Sequence, residues 1–162
     1  MDFVRLNIHT ARNSNLVFSP NFIFSIITVN PVTFYAGING DPSVRDDQVI
    51  IFDYVRTNIG NGYDTSTGIF TTPTSGVYVF YVNFLTHQHK SIDAMISRNY
   101  EDVQRLYAGT LQNRYGPGCN MALSLNGGDK IYVKVNSDQH STGKVLDGKW
   151  CTFSGFLLYL AR

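Results

Sequence analysis

The chain has 162 residues, enough for one domain with its own core. It is 43% hydrophobic and 14% aromatic but only 15% charged, which excludes disorder, and a net charge of +1 without a long basic run excludes the electrostatic footprint of a nucleic-acid binder. Ten Tyr and eleven Phe favour pleated, half-buried surface, and 14 Gly supply turns.

Residues 1–31 read as an N-terminal extension. Leu6 and Ile8 alternate with Asn7 and His9, as in an arm or extra strand. A degenerate signal stays open as a second reading, because Arg5 and Arg12 precede an apolar stretch over 16–29. Ser19, Pro20, Asn21 and Ser25 interrupt that stretch, which is too short to span a bilayer.

From residue 32 onward the period is two, with no sustained helical pattern. Strands are predicted over 32–38, 49–55 and 69–72, with a glycine-rich loop over 58–68. The clearest strand starts at Gly76. Tyr78, Phe80, Val82 and Phe84 share one face; Val77, Val79, Tyr81 and Asn83 share the other. Both faces are largely apolar, which predicts cover on both sides, one from an opposing sheet and one from another copy of the chain. Further strands are predicted over 92–97 and 103–111, separated by a turn at 99–102, and over 121–125 and 130–135. Between the last two, Asn126-Gly127-Gly128-Asp129 reads as a tight hairpin. In the second, Ile131, Val133 and Val135 alternate against Lys130, Tyr132 and Lys134. Residues 136–149 form a long polar loop, and 152–160 a final apolar strand inside the fold. Eight or more short strands suggest a sandwich or jelly roll. The sequence holds no internal repeat, collagen run or heptad pattern.

At Phe52 the pattern becomes specific. It reads Phe52-Asp53-x-Val55-x-Thr57-Asn58-Ile59-Gly60-Asn61-x-Tyr63-Asp64, then Thr67-Gly68-x-Phe70-Thr71-x-Pro73-x-x-Gly76-x-Tyr78-x-Phe80. It continues with Leu123-x-Leu125-x-x-Gly128-Asp129-x-Ile131-x-Val133 and closes with Phe153-Ser154-Gly155-Phe156-Leu157-Leu158. Over residues 32–160 the chain resembles the globular domain of the complement C1q family, relatives of the tumour necrosis factor fold. The resemblance implies an all-β, ten-stranded jelly-roll β-sandwich over 32–162 that forms trimers. Phe52, Tyr63, Phe70, Tyr78, Phe80, Phe153 and Phe156 are suited to fill the space between its sheets.

Function follows from the resemblance rather than from the strand pattern. It implies a secreted, lectin-like pattern-recognition protein of innate immunity that binds carbohydrate or microbial surface patterns as a homotrimer. The alternatives are a receptor-binding ligand of hormone or synaptic-organiser type and a structural protein of the extracellular matrix. No nucleic acid or membrane insertion is implied, and the sequence carries no Gly-x-Ser-x-Gly, His-Glu-x-x-His or Walker motif to suggest an enzyme.

Under the secreted reading, Cys119 and Cys151 become a candidate disulfide, although their number alone leaves two free thiols open. Glycan binding uses aromatics and polar groups on loops, which points to Tyr100, Asp102, Arg105, Arg114, Tyr115, Asp138 and His140. Tyr115, beside Gly116-Pro117-Gly118, is the preferred ring. No cofactor is required. Some family members bind calcium through acidic loops, and the adjacent acids here are Asp46-Asp47 and Glu101-Asp102. His87 and His89 share a strand face where a metal could sit, but lack a third ligand nearby.

Overall fold

The computed structural model describes residues 30–87, 89–109, 118–137, 146 and 148–161. The reading of residues 1–29 as an arm or signal lies outside them. Among the described residues ten strands run in chain order: β1 (Thr33–Gly37), β2 (Tyr54–Ile59), β3 (Tyr63–Asp64), β4 (Ile69–Thr71), β5 (Gly76–Asn83), β6 (Ser91–Arg98), β7 (Glu101–Gly109), β8 (Gly118–Leu125), β9 (Lys130–Val135) and β10 (Thr152–Leu160). A 3-10 turn at Gly148–Trp150 precedes β10. The strands form two five-stranded antiparallel sheets, ordered β2-β1-β10-β5-β8 and β3-β4-β9-β6-β7. This is the expected all-β jelly roll. Among the described residues no helix is long and apolar enough to cross a membrane.

The inward residues of both sheets make one aromatic core. Phe34 lies at its centre, stacked on Tyr63 at 5.0 Å and Phe70 at 4.9 Å, with the edge of Phe153 at 4.8 Å. Phe52, Phe70, Tyr78, Phe80 and Phe153 are at most 1% exposed. Burial of each ring is worth roughly 1.5–3 kcal/mol, so this cluster outweighs any single surface interaction. Phe156 departs from expectation. On β10 the inward positions are Phe153 and Gly155, so Phe156 faces out and stacks on Tyr81 at 6.4 Å. A Cβ at Gly155 would already lie 2.5 Å from the Phe80 ring, so Phe34 and Phe80 occupy the space a larger residue there would need.

Three connections differ from the sequence expectation. The strand predicted over 49–55 begins only at Tyr54. The preceding residues instead lie along β9, where Val49 bridges Lys134 and the Ile50 N–H donates to the Val133 carbonyl at 2.8 Å. The 58–68 loop contains the short strand β3. Asn126–Asp129 does not close a hairpin: β8 pairs with β5 in one sheet, and β9 pairs with β4 and β6 in the other. The turn is a corner, held by the Gly128 N–H on the Thr72 carbonyl and the Thr72 N–H on the Asp129 carbonyl, both 2.8 Å.

The antiparallel register gives the sandwich two distinct poles. At one, the Ala161 N–H donates to the Ser75 carbonyl, Ser75 Oγ accepts from Gly127 N–H, and Asn99 reaches Asp129. The C-terminal end of β10, the β8–β9 corner and the β6–β7 turn therefore lie together. At the other pole are the start of β10, with Trp150 64% exposed, and the ends of β5 and β7.

The two outer faces differ in charge. The adjacent strands β1, β10, β5 and β8 contain no Asp, Glu, Lys or Arg at all. Their outward residues include Tyr35, Phe156, Val79 and Tyr81. The prediction that β5 needs cover on both sides holds for its inner face, where Tyr78, Phe80 and Val82 are fully buried. Its outer face remains part-exposed in the single chain. The second sheet, by contrast, places acids and bases on β6, β7 and β9.

Candidate functional site

Asn99 and Tyr100 connect β6 to β7 with positive φ at both residues, 48° and 79°. This is the geometry of a two-residue primed turn. Asn tolerates it; Tyr does so at a cost of about 1–2 kcal/mol. The Asn99 side chain secures the turn. Its Nδ2 donates to Asp129 at 2.6 Å, its Oδ1 accepts the Lys130 N–H at 2.8 Å, and its own backbone N–H donates to the Lys130 carbonyl at 3.0 Å. Tyr100 is thereby presented 85% exposed. A strained aromatic held out to water is a reasonable place to look for recognition.

Beneath this turn lies a cleft of about 360 Å³, lined by Asp47, Val49, Ile69, Asn99, Tyr100, Lys130, Tyr132 and Lys134. Lys130, Tyr132 and Lys134 share the outer face of β9 by strict alternation. Val49 and Ile69 supply an apolar wall from the flanking segment and β4. Lys134 Nζ lies 3.1 Å from the Asp102 carboxylate, which also accepts Ser97 Oγ–H at 2.8 Å. The Ser97 hydrogen bond, against a smaller opposing effect of burial and with Lys134 adding to it, holds Asp102 below the usual carboxylate range. Lys130 forms no ion pair among the described residues.

The structure sorts the residues chosen from sequence. Tyr100 and Asp47 both line the cleft, and Asp102 joins through Lys134. Arg105 lies further along β7, where its Nε donates to both oxygens of the buried Asp93 carboxylate at 2.9 Å and its Nη2 to one of them. That pairing gives Arg105 an anchoring role. Glu101 starts β7 exposed, and Asp46 lies exposed beside the cleft residue Asp47. Arg114, Tyr115, Asp138 and His140 lie outside the described residues. Lys130, Tyr132 and Lys134 were not chosen from sequence, although the β9 alternation already put all three on one face.

Among the described residues no group of three or more His, Cys, Asp or Glu side chains could hold a metal ion. Asp46 and Asp47 lie beside β9, Asp102 is engaged by Ser97 and Lys134, and His87 lies 3.3 Å from Asp41. The acids therefore do not fit a calcium site as a set.

The expected disulfide is absent. Cys119 and Cys151 are not bridged to each other. Cys119 faces Val82 on β5, while Cys151 precedes β10, which pairs with the opposite edge of β5. One strand thus separates them, placing them roughly 10 Å apart at ordinary strand spacing. A disulfide needs Cα atoms within about 7 Å. Cys151 Sγ instead lies 3.4 Å from both the N and O of Leu85.

Comparison with known proteins agrees with the fold. A model of the C1q domain matches residues 33–158. Complement C1q tumor necrosis factor-related protein 3 of Homo sapiens is 33% identical over 113 residues, covering 68% of this chain and 44% of the human protein. Caprin-2 of Danio rerio is 36% identical over 118 residues, covering 70% of this chain and 12% of that protein. The chain thus spans less than half the length of these curated relatives. Among solved structures, the globular domain of zebrafish complement 1qA protein superposes with a TM-score of 0.61 at 16% identity, covering 80% of this chain and 99% of that one. Murine APRIL gives a TM-score of 0.58 at 18% identity, with 79% and 99% covered.

Proposed function

This chain belongs to the C1q-domain family, and from that premise we propose that it is a secreted recognition protein that assembles as a homotrimer and binds carbohydrate or other repeating patterns on microbial surfaces. The observation that carries this reading is the contrast between the outer faces. Four adjacent strands without a charged side chain offer Tyr35, Phe156, Val79 and Tyr81 to solvent, as a surface meant for another copy of the chain does. The charged face, with its cleft and Tyr100, is then the one turned toward a ligand.

Trimerisation would put three such faces on one particle. Individually weak sites gain avidity on a surface that repeats its epitope, provided their spacing permits simultaneous engagement. The chemistry at hand is that of binding: a part-exposed cleft, fixed polar groups and aromatic rings.

Two measurements test the proposal. Sedimentation of the native protein should show a species three times the mass of the 18.2 kDa chain, and adding a chelator reads any calcium contribution in the same run. Glycan-array and whole-cell binding should show retention of the trimer. A stable single chain at micromolar concentration, or a trimer that retains no glycan and no microbial cell, removes the proposal.

A further inference from the structure

The cleft beside Tyr100 has a charge order along its length. Lys130, Tyr132 and Lys134 span about 13 Å at the rise of an extended strand. Tyr132 is only 8% exposed, so its ring is floor rather than rim. Tyr100 stands at the Lys130 end. Asp47 stands at the other, where its backbone N–H donates to the Val135 carbonyl at 3.1 Å. The two lysines are not equivalent. Lys134 is engaged by Asp102, whereas Lys130 has no ion-pair partner among the described residues. One end therefore offers a free ammonium beside an exposed aromatic ring, and the other offers a carboxylate.

Building on the carbohydrate reading above, we propose that this cleft binds a short uronate-bearing glycan in a fixed direction. The sugar carboxylate meets the Lys130 ammonium, and the apolar face of the same sugar lies on Tyr100. The neighbouring sugar, which is neutral, runs over Tyr132 toward Asp47, whose carboxylate accepts its hydroxyl hydrogens. A second acid at the Asp47 end is repelled. Glycans that carry an acid on alternate sugars fit this order, and those with an acid on every sugar do not. A volume of about 360 Å³ lies at the small end of the range for ligand sites, which suits a disaccharide.

The test is titration calorimetry of the full-length native protein with glucuronate, glucose and digalacturonate, alongside Lys130→Gln, Tyr100→Ala and Asp47→Asn. All three side chains are exposed, and thermal melts confirm that each variant folds. Glucuronate should bind at least tenfold more tightly than glucose, as a charge-assisted contact implies. Lys130→Gln should erase that preference, and Tyr100→Ala should weaken both ligands at least fivefold. Asp47→Asn should improve digalacturonate several-fold. A glucuronate preference that survives in Lys130→Gln overturns the assignment. A protein that retains array glycans but ignores glucuronate keeps the lectin reading and loses this site; a blank array removes both.

Discussion

The side-chain amide of Asn99 donates a 2.6 Å hydrogen bond to the carboxylate of Asp129, tying the β6–β7 turn to the corner where the chain passes between sheets. The same carboxylate accepts Arg98 Nη2 at 2.7 Å and the Asn126 N–H at 2.8 Å. Asp129→Ala removes all three contacts and should cost about 2 kcal/mol, read as a lower urea midpoint with unchanged slope. Burial alone would raise the Asp129 pKa, but the hydrogen bonds from Asn126, Asn99 and Arg98 and the Arg98 charge prevail and lower it. A folded-state value below the unfolded one, about 3.9, means the stabilisation is complete above that pH. It is lost as pH falls through the folded value. Stability of Asp129→Asn should therefore fall less steeply below about pH 4.

Tyr63 makes the mirror-image case in alkali. Its hydroxyl accepts the Phe52 N–H and donates to the Phe52 carbonyl, both at 3.1 Å. Burial pushes its pKa up to about 12, offset in part by the Phe52 hydrogen bond and helped by nearby Asp53 and Asp64. The folded state then holds this proton more tightly than the unfolded one. Its stabilisation is full below about pH 10 and declines as pH rises through the folded value of about 12. Tyr63→Phe should cost about 2 kcal/mol at neutral pH by stranding two buried backbone groups, and should remove this share of the alkaline slope.

With Cys119 and Cys151 unbridged, a reducing agent should leave the melting temperature unchanged, and denatured protein should titrate as two thiols per chain. Burial raises the Cys119 pKa, so alkylation of the native protein at neutral pH should be slow. Cys119 is nonetheless the more exposed, and should be labelled before Cys151. An intact mass lacking two hydrogens would contradict the structure.

Val79 lies between Phe156 and Ala122 in the middle of the uncharged outer face. Val79→Asp places a charge where assembly would bury it, at a cost of several kcal/mol per contact. Sedimentation should then show only the 18.2 kDa chain, with the circular dichroism of the sheets retained. A variant that still sediments as a trimer would mean that another face mediates assembly.

Gly68 and Gly40 separate two costs that sequence inspection merges. Both have positive φ, 74° and 69°. A Cβ at Gly68 would meet the Ile50 carbonyl oxygen at 2.6 Å, whereas one at Gly40 would meet nothing within 4 Å. Gly40→Ala should cost about 1 kcal/mol for the backbone alone. Gly68→Ala should cost about 3 kcal/mol, since a backbone neighbour cannot yield as a side chain can. Thermal or urea unfolding of the pair measures the difference.

Alternation made much of this fold legible. It put Tyr78, Phe80 and Val82 on one face and Lys130, Tyr132 and Lys134 on another, while the apolar run over 152–160 read as an internal strand. It could not say which sheet a strand joins, since a corner and a hairpin use the same Asn-Gly-Gly-Asp chemistry. Hence β8 and β9 looked like partners, and the two cysteines looked bridgeable across a strand that in fact divides them. Phe156 misled for a related reason: ring size suggests burial, but register decides direction. The cleft was hidden because Asp47, Ile69, Tyr100 and Lys134 come from four separate stretches of chain. In the sequence Tyr100 marked it only as an aromatic at a predicted turn among polar neighbours.

The pole at which β10 ends has a practical meaning for any binding assay. Ala161 is hydrogen-bonded to Ser75, next to the corner that holds Asn99. A protein tethered to a sensor chip through the last residues of β10 would press Tyr100 toward the support and register weak binding for steric reasons alone. Trp150, the sequence's single tryptophan, stands at the far pole. Its fluorescence would stay silent when the cleft fills, so a dye or anchor attached near it would leave the ligand face open.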